Sequence, residues 1–408
     1  MKQSVQWIGV FLLSLLLCSP AELHAQGKPA GENPLPLLPG LENAVEFWKR
    51  VFTEYSSAQL ILFDPFDMSR IYEVQDVGED SRSKQYISGE IARIAAAHGV
   101  DSDRVKAQRG IKERTAAGIK RSGKYIAQMQ QIFREQELPP EIAYLPIVES
   151  SYDINARSNV GALGMWQFMR VTGKQFNMRV DRNVDERKDP LESTRAAAAY
   201  LKQAYESLGN WPLAITSYNY GPAGMARAVS EVGSNDLVTL IQKYNHRYWG
   251  FAPKNFYAEF LAAVEIGKNP THYYPGLEID PPLAIEEVEV TKGTSVAALA
   301  GSRGLTREQL LVWNPALSGA TRVIPSGYRV KLPAGGKTEL VVAQVATPPS
   351  RPRAQTKPQV VHHRVKRGET LIQIAKRYGA SLERILQANG LRRTSLLRVG
   401  STLLIPKA

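Results

Sequence analysis

The 408-residue chain has one cysteine, Cys18, and six histidines. One thiol forms no internal disulfide, and no His or Cys cluster has the spacing of a metal site. Neither a metal nor a cofactor is expected. The chain also lacks any long Lys/Arg run and any nucleic-acid-binding motif, so nucleic acid is not an expected partner. Its formal net charge of +12 is instead dispersed, which suits an anionic polymer or membrane surface. After the first 25 residues no apolar run is long enough to span a bilayer.

What is present is an ordinary folded composition, 43% hydrophobic and 22% charged, long enough for two or three domains. Lys2, the apolar segment Val5–Leu17, Ser19, Pro20 and the small residue Ala25 predict a secretory signal peptide over residues 1–25. "LLLC" also has features of a lipoprotein signal, although Leu17 stands where a small residue is usual. Membrane association is thus expected only if Cys18 is lipidated. Residues 26–40, rich in Pro and Gly, read as a flexible lead-in. Residues 41–125 read as a helical N-terminal region, with Val45, Trp48, Val51 and Phe52 on one helix face.

Residues 126–275 hold most of the unusual side chains. Pro139 and Pro140 can open a helix, and Pro146 should distort it. Glu149 then falls near the last turn, after an apolar run and before Ser150, Ser151 and Tyr152. Apolar neighbours and a negative helix end would both favour its protonated form. Ser193 or Thr194 is expected to cap "RAAAAYLKQAYESL", and Gly209 to end it. Pro212 fits the first turn of the following helix.

Beyond Pro281 the chain repeats itself. "VTKGTSVAALAGSRGLTREQLLVWNP" from Val290 aligns with "VKRGETLIQIAKRYGASLERILQANG" from Val365, pairing Asn314 with Asn389 and Gly304 with Gly379. Each unit reads strand, helix, helix, strand. In the second, Gly379 and Gly390 are placed to stop helices and Ser381 to cap one. Residues 335–360, rich in Pro, Thr and Gln, read as a linker.

The repeats resemble the LysM module, a βααβ fold that binds N-acetylglucosamine-containing glycans. The unit at 361–408 matches over its whole length, whereas that at 285–334 is degenerate. The resemblance implies glycan contacts at Gly368, Glu369, Thr370, Leu371, Asn389, Gly390 and Leu391; shaping turns and caps is the equal alternative. Residues 126–275 resemble the catalytic domain of lytic transglycosylases of the membrane-bound lytic murein transglycosylase D type. The motifs are "ESSY" (149–152), "GALGMWQFM" (161–169), "DERKDPLESTRAAAAYL" (185–201) and "SYNYGPAG" (217–224). The fold class implied is multidomain: a mainly α, lysozyme-like catalytic domain with a helical N-terminal extension, plus two small α+β LysM modules.

The resemblance implies Glu149 as the single catalytic acid, then base, with Ser150, Met165, Gln167, Tyr218 and Asn219 binding substrate. Ser150 either bonds Glu149, lines the cleft or caps the helix end, Met165 would form an apolar floor, and Trp166 is equally core or cleft. Near the domain's end Phe256 stands where a tyrosine is usual, with Tyr257 beside it. The implied activity is cleavage of peptidoglycan glycan strands without water, in the periplasm, with outer-membrane attachment contingent on Cys18. A lysozyme-like hydrolase using a second acid among Asp153, Asp181, Asp185, Glu186 and Asp189, and a non-catalytic wall-binding protein, are the alternatives.

Overall fold

The computed structural model of the protein describes residues 33–78 and 83–334 and, in the C-terminal segment, 360–365, 369–378, 380, 385–386, 388–389 and 400–406. The predicted signal peptide, Cys18 and nearly all of the linker lie outside the described residues. The chain forms two compact units, Met1–Leu340 and Val341–Ala408. Among the described residues no helix is long and apolar enough to cross a membrane.

The N-terminal region begins with α1 (Glu42–Thr53), whose predicted apolar face is buried through Val45, Trp48, Val51 and Phe52. The expectation of helix throughout 41–125 is corrected by a three-stranded antiparallel sheet. It comprises β1 (Gln59–Asp64), β2 (Asp67–Asp76) and β3 (Lys106–Arg109), in the order β2-β1-β3. Leu60 pairs with Gln75 on one side and Arg109 on the other. The central strand is covered on both faces. Leu62 packs with Ile94, Ala95 and Val105, while Ile61 and Phe63 enter the main core. A strand buried on both faces shows no alternation, so its "LILF" reads equally as helix. Helix α2 (Lys84–His98) covers the sheet, capped by Ser83 and stopped by left-handed Gly99. The lead-in is partly built in: Leu35 is buried and the Pro36 carbonyl accepts from the Tyr257 hydroxyl at 2.8 Å.

Helices α3 (Lys112–Ser122) and α4 (Ile126–Glu135) lead to the one-turn helix α5 (Pro146–Glu149). After α6 (Arg170–Gln175) come α7 (Pro190–Leu208), α8 (Trp211–Tyr220), α9 (Pro222–Val232), α10 (Leu237–Lys243), α11 (Phe251–Lys268) and α12 (Pro270–Tyr273). These helices share one core with α1 and β1, centred on residues such as Phe133, Trp166, Ile215 and Phe260. Helix α7 starts earlier than predicted. Asp189 is its cap, with Oδ1 accepting from the amides of Leu191 and Glu192 at 3.0 Å, and Pro190 is its first residue. Ser193 and Thr194 lie inside the first turns, buried, with hydroxyls turned back to the carbonyls of Asp189 and Pro190. Gly209 ends the helix at φ +80°, as expected.

The first repeat has the expected order. Strands β4 (Ile285–Glu289) and β7 (Arg329–Pro333) pair antiparallel around α13 (Val296–Ser302) and α14 (Arg307–Trp313), with a short pair β5 (Thr294–Ser295) and β6 (Val323–Ile324). Val184 of the preceding domain enters its core, and the backbone of Asn183 bonds Ser318 and Thr321. Lys331, only 2% exposed, reaches Asp189 Oδ2 and Glu192 Oε1 at 2.9 Å and Glu287 at 3.4 Å. Burial works against the charge on Lys331, and Asp189 and Glu192 overcome it, leaving its pKa above the usual value.

In the second unit β8 (Val360–Arg364) pairs antiparallel with β9 (Thr402–Pro406), and α15 (Leu371–Tyr378) packs through Leu371 and Ile374. The predicted stops Gly379 and Gly390 and the cap Ser381 lie outside the described residues.

Candidate active site

Two prolines place Glu149. Pro140 begins a 3-10 turn through Tyr144, and Pro146 restarts the chain as α5, whose last residue is Glu149. The distortion expected at Pro146 is therefore a break between two short helical pieces. The chain then leaves through two left-handed residues, Ser151 at φ +53° and Tyr152 at φ +57°. Such conformations are costly for residues with side chains and are held only by their surroundings. Here the Tyr152 hydroxyl donates to the Ala143 carbonyl at 2.6 Å. Ser150 is buried, and its hydroxyl donates to the Met165 carbonyl at 2.8 Å, tying the helix end to the next motif. It neither bonds Glu149 nor lines a described groove.

The "GALGMWQF" loop is clamped from the "DERK" motif. Arg187 holds Asp185 through two bonds of 2.9 and 2.8 Å and donates to the carbonyls of Gly161 and Phe168 at 3.1 Å. Gly164, at φ +83°, lies so close to the Arg187 carbonyl that a Cβ would meet its oxygen at 1.8 Å. Trp166 is core, its indole N–H donating to Thr194 Oγ1 at 2.9 Å. Met165, 1% exposed, is core as well, so the apolar floor expected there is not at a surface. Gln167, left-handed at φ +50°, spends its amide N–H on Ala156 and Gly164 carbonyls and faces a groove.

That groove has a volume of about 720 Å³, with Gln167, Phe176, Tyr200, Tyr218 and Asn219 in its wall. Asn219 and Tyr220 also line an adjoining hollow of about 300 Å³ with Arg227, His246 and Tyr248. Glu149 is not itself a wall residue of either. It lies near enough to Tyr200 and Tyr218 for its charge to raise both phenols, burial being the larger cause. The Tyr218 hydroxyl donates to the Trp166 carbonyl at 2.8 Å, and Tyr200 to the Ser217 carbonyl at 3.1 Å. The end of α5, the middle of α7 and the end of α8 thus come together near Glu149.

Burial raises the Glu149 carboxyl to about 8. The helix-end contribution is negligible, because one turn carries little dipole. A second carboxyl is close. Glu259 of α11 is raised to about 8, first by burial and then by the charge of Glu149. Sequence reasoning searched residues 153–189 and missed both Glu259 and Tyr200. The available signal for Glu259 was its place as the sole acid in "FYAEFLAAV", the same acid-in-apolar pattern that marks Glu149. Of the acids considered, Asp189 and Asp185 are committed to Lys331 and Arg187, and Asp181 to Arg179. Glu186 is raised to about 7 by burial but accepts from the Arg179 amide. Phe256 is buried, and Tyr257 points its hydroxyl at Pro36.

In the second repeat, Glu369 pairs with His363 at 2.8 Å and Arg377 at 2.5 Å. Thr370 exchanges bonds with Gln373 at the start of α15, and Leu371 is core. Asn389 donates to the carbonyls of Ile385 and Leu404 and accepts from the Leu404 amide at 2.7–2.8 Å. Asn314 makes the same three bonds, to Leu310 and Lys331, in the first repeat. All four side chains have duties within the fold. Gly368, Gly390 and Leu391 lie outside the described residues.

The membrane-bound lytic murein transglycosylase D of Escherichia coli strain K12 is 28% identical over 283 residues, 67% of this chain and 61% of that protein. The chain thus spans about three fifths of the length of the curated relatives it matches. Among solved structures, the lytic transglycosylase Slt of Pseudomonas aeruginosa aligns with TM-score 0.32 and 19% identity, covering 49% of this chain and 30% of that one. The 70 kDa soluble lytic transglycosylase of Escherichia coli aligns with TM-score 0.31 and 19% identity, covering 38% and 26%. Likenesses that partial carry no argument of their own. Family models match two segments, 126–241 as the transglycosylase SLT domain and 363–406 as the LysM domain. The chain therefore carries a transglycosylase SLT domain over residues 126–241 and a LysM domain over residues 363–406.

Proposed function

We propose that the protein is an exported lytic transglycosylase that cleaves the β-1,4 bond between N-acetylmuramic acid and N-acetylglucosamine in peptidoglycan. The observation that carries this reading is Glu149: a carboxyl held protonated to about pH 8 by burial, beside a long polar and aromatic groove. Glu149 gives its proton to the glycosidic oxygen as the C1–O bond breaks. The C6 hydroxyl of the same muramyl ring attacks C1 and returns a proton to Glu149, leaving a 1,6-anhydromuramyl end. No water is consumed, and the internal attack exploits proximity. The adjoining hollows suit a polymer lying across several sugar positions, with Gln167, Tyr218 and Asn219 as polar contacts. The name of the Escherichia coli relative, a lytic murein transglycosylase, supports murein as substrate. Export to the periplasm rests on the predicted signal peptide, and retention at the wall on the LysM domain.

A water-attacking hydrolase would need an ionised second carboxyl as base or nucleophile. Glu259, held protonated into the same range as Glu149, is poorly suited to that role at neutral pH. Mass spectrometry of fragments released from purified peptidoglycan tests the proposal. Anhydromuramyl ends that vanish with Glu149→Gln are expected. Reducing muramyl ends would replace the lytic reading by hydrolysis, and equal inactivity of both forms would remove the enzymatic reading.

A further inference from the structure

A third cavity, of about 640 Å³, lies in the same compact unit as the groove and its hollow. The loop between α10 and α11 serves both of the last two: it gives His246 and Tyr248 to the hollow and Trp249 to the cavity. Tyr220, a wall residue of groove and hollow alike, packs edge-on against Trp249 at 4.8 Å. Two half-buried lysines line the cavity, Lys106 of β3 and Lys254 of α11. The Lys106 ammonium lies over the Phe251 ring, 4.5 Å from its centroid, and Phe251 stands three residues before Lys254 on one face of α11. Among the described residues neither ammonium has an ion-pair partner. Burial pushes both below the usual lysine range, with no acid to offset it. Trp249 is 3% exposed, and its indole N–H has no partner among the described residues. The wall also holds two acids. Asp67 Oδ1 accepts from Ser69 and Asn43, and Asp103 is exposed. Phe66 and Phe251 add apolar surface. A wall with both signs and aromatic rings suits a short peptide with charged ends better than it suits a phosphate or a polyanion.

We infer, resting on the peptidoglycan reading above, that this cavity binds the peptide branches of the substrate, with Lys106 and Lys254 donating to their carboxylates. Those branches hang from the muramyl rings of the same polymer, so a glycan strand in the groove carries them along its flanks. They bear free carboxylates for the two ammonium groups and an amino group for Asp67 and Asp103. The cavity takes no part in bond breaking. It adds binding on strands that carry peptides and none on bare glycan.

The test uses the full chain and the free tetrapeptide that an amidase releases from purified peptidoglycan, followed by calorimetry. Wild type is expected to bind it. Binding should weaken about tenfold or more in the double variant Lys106→Gln/Lys254→Gln, since two charge-assisted hydrogen bonds are lost. Lys106→Arg/Lys254→Arg, which keeps both charges, should retain most of it. The glutamine variant should melt no lower than wild type, because it removes cations buried without partners, so weaker binding reports the site and not the fold. Inorganic phosphate, and the tetrapeptide with its carboxyls amidated, should each bind about tenfold more weakly than the free tetrapeptide. No binding by wild type, equal binding by the glutamine variant, or phosphate binding as well as the tetrapeptide would overturn the inference. In kinetics, the ratio of kcat/KM on peptide-bearing strands to that on peptide-free strands should fall in the glutamine variant, and an unchanged ratio would also overturn it. If wild type releases no anhydromuramyl ends, the lytic reading fails, while calorimetry still decides whether the cavity binds the peptide.

Discussion

At the scale of single residues, the site is defined by half-buried carboxyls that have no counter-ion among the described residues. That arrangement has a sign in stability. Burial raises Glu149 from the ordinary value of 4.5 to about 8, so between those values the folded chain binds protons that the unfolded chain does not. The stability associated with the neutral form is fully present below about pH 4.5 and is lost as pH rises through about 8. Glu149→Gln removes that loss. Urea unfolding should show the variant more stable than wild type by about 2–4 kcal/mol at pH 9 and nearly equal at pH 5. Equal differences at both values would mean that Glu149 is solvated. Glu149 was legible because an acid interrupting apolar sequence coincided with a motif. Glu259 carried the same local pattern without a motif, and its meaning depends on α11 crossing α5, a contact between residues more than a hundred positions apart.

At the scale of elements, α7 carries the greatest load. Asp189 caps it and, through its other oxygen, meets Lys331 of the first repeat. One carboxylate thus fixes the helix that holds Tyr200 at the groove and Thr194 under Trp166. Asp189→Ala should cost about 3–5 kcal/mol, since it strips the cap and leaves a buried ammonium short of a partner. Asp189→Asn keeps a good cap and should cost less. Denaturant midpoints would check this, and a loss under about 1 kcal/mol for the alanine variant would contradict the network's role. The signal was an Asp-Pro pair at 189–190, which marks a helix start better than the Ser193 and Thr194 hydroxyls that periodicity suggested. The sheet escaped for a different reason. Strand β1 is apolar toward both α2 and the main core, so the period of two that identifies a half-buried strand is missing.

At the scale of the whole molecule, two repeats alike in sequence have different surroundings. Their shared architecture was legible from the repeat itself, down to the asparagine that stitches each helix end to the last strand. What the sequence did not show is that the degenerate unit shares one compact unit with the SLT domain. Glu287, Arg329 and Lys331 complete charges on α7, and Val184 completes the unit's core. These contacts depend on side chains matched across a domain border, which no repeat alignment reports. Two truncations separate the roles. Ending the chain at Leu340 removes only the second compact unit. Cleavage of short soluble glycan fragments and the main melting transition should be unchanged, while co-sedimentation with insoluble peptidoglycan should fall. Ending it before Ile285 removes both repeats, opens the apolar surface around Val184 and strands Asp189 and Glu192 without Lys331. That form should melt several degrees lower, in line with about 2–4 °C per kcal/mol for a body of this size, and should lose activity on soluble fragments as well. Equal behaviour of the two truncations in stability and soluble-substrate cleavage would mean that the first repeat is a second tether and not a brace for α7.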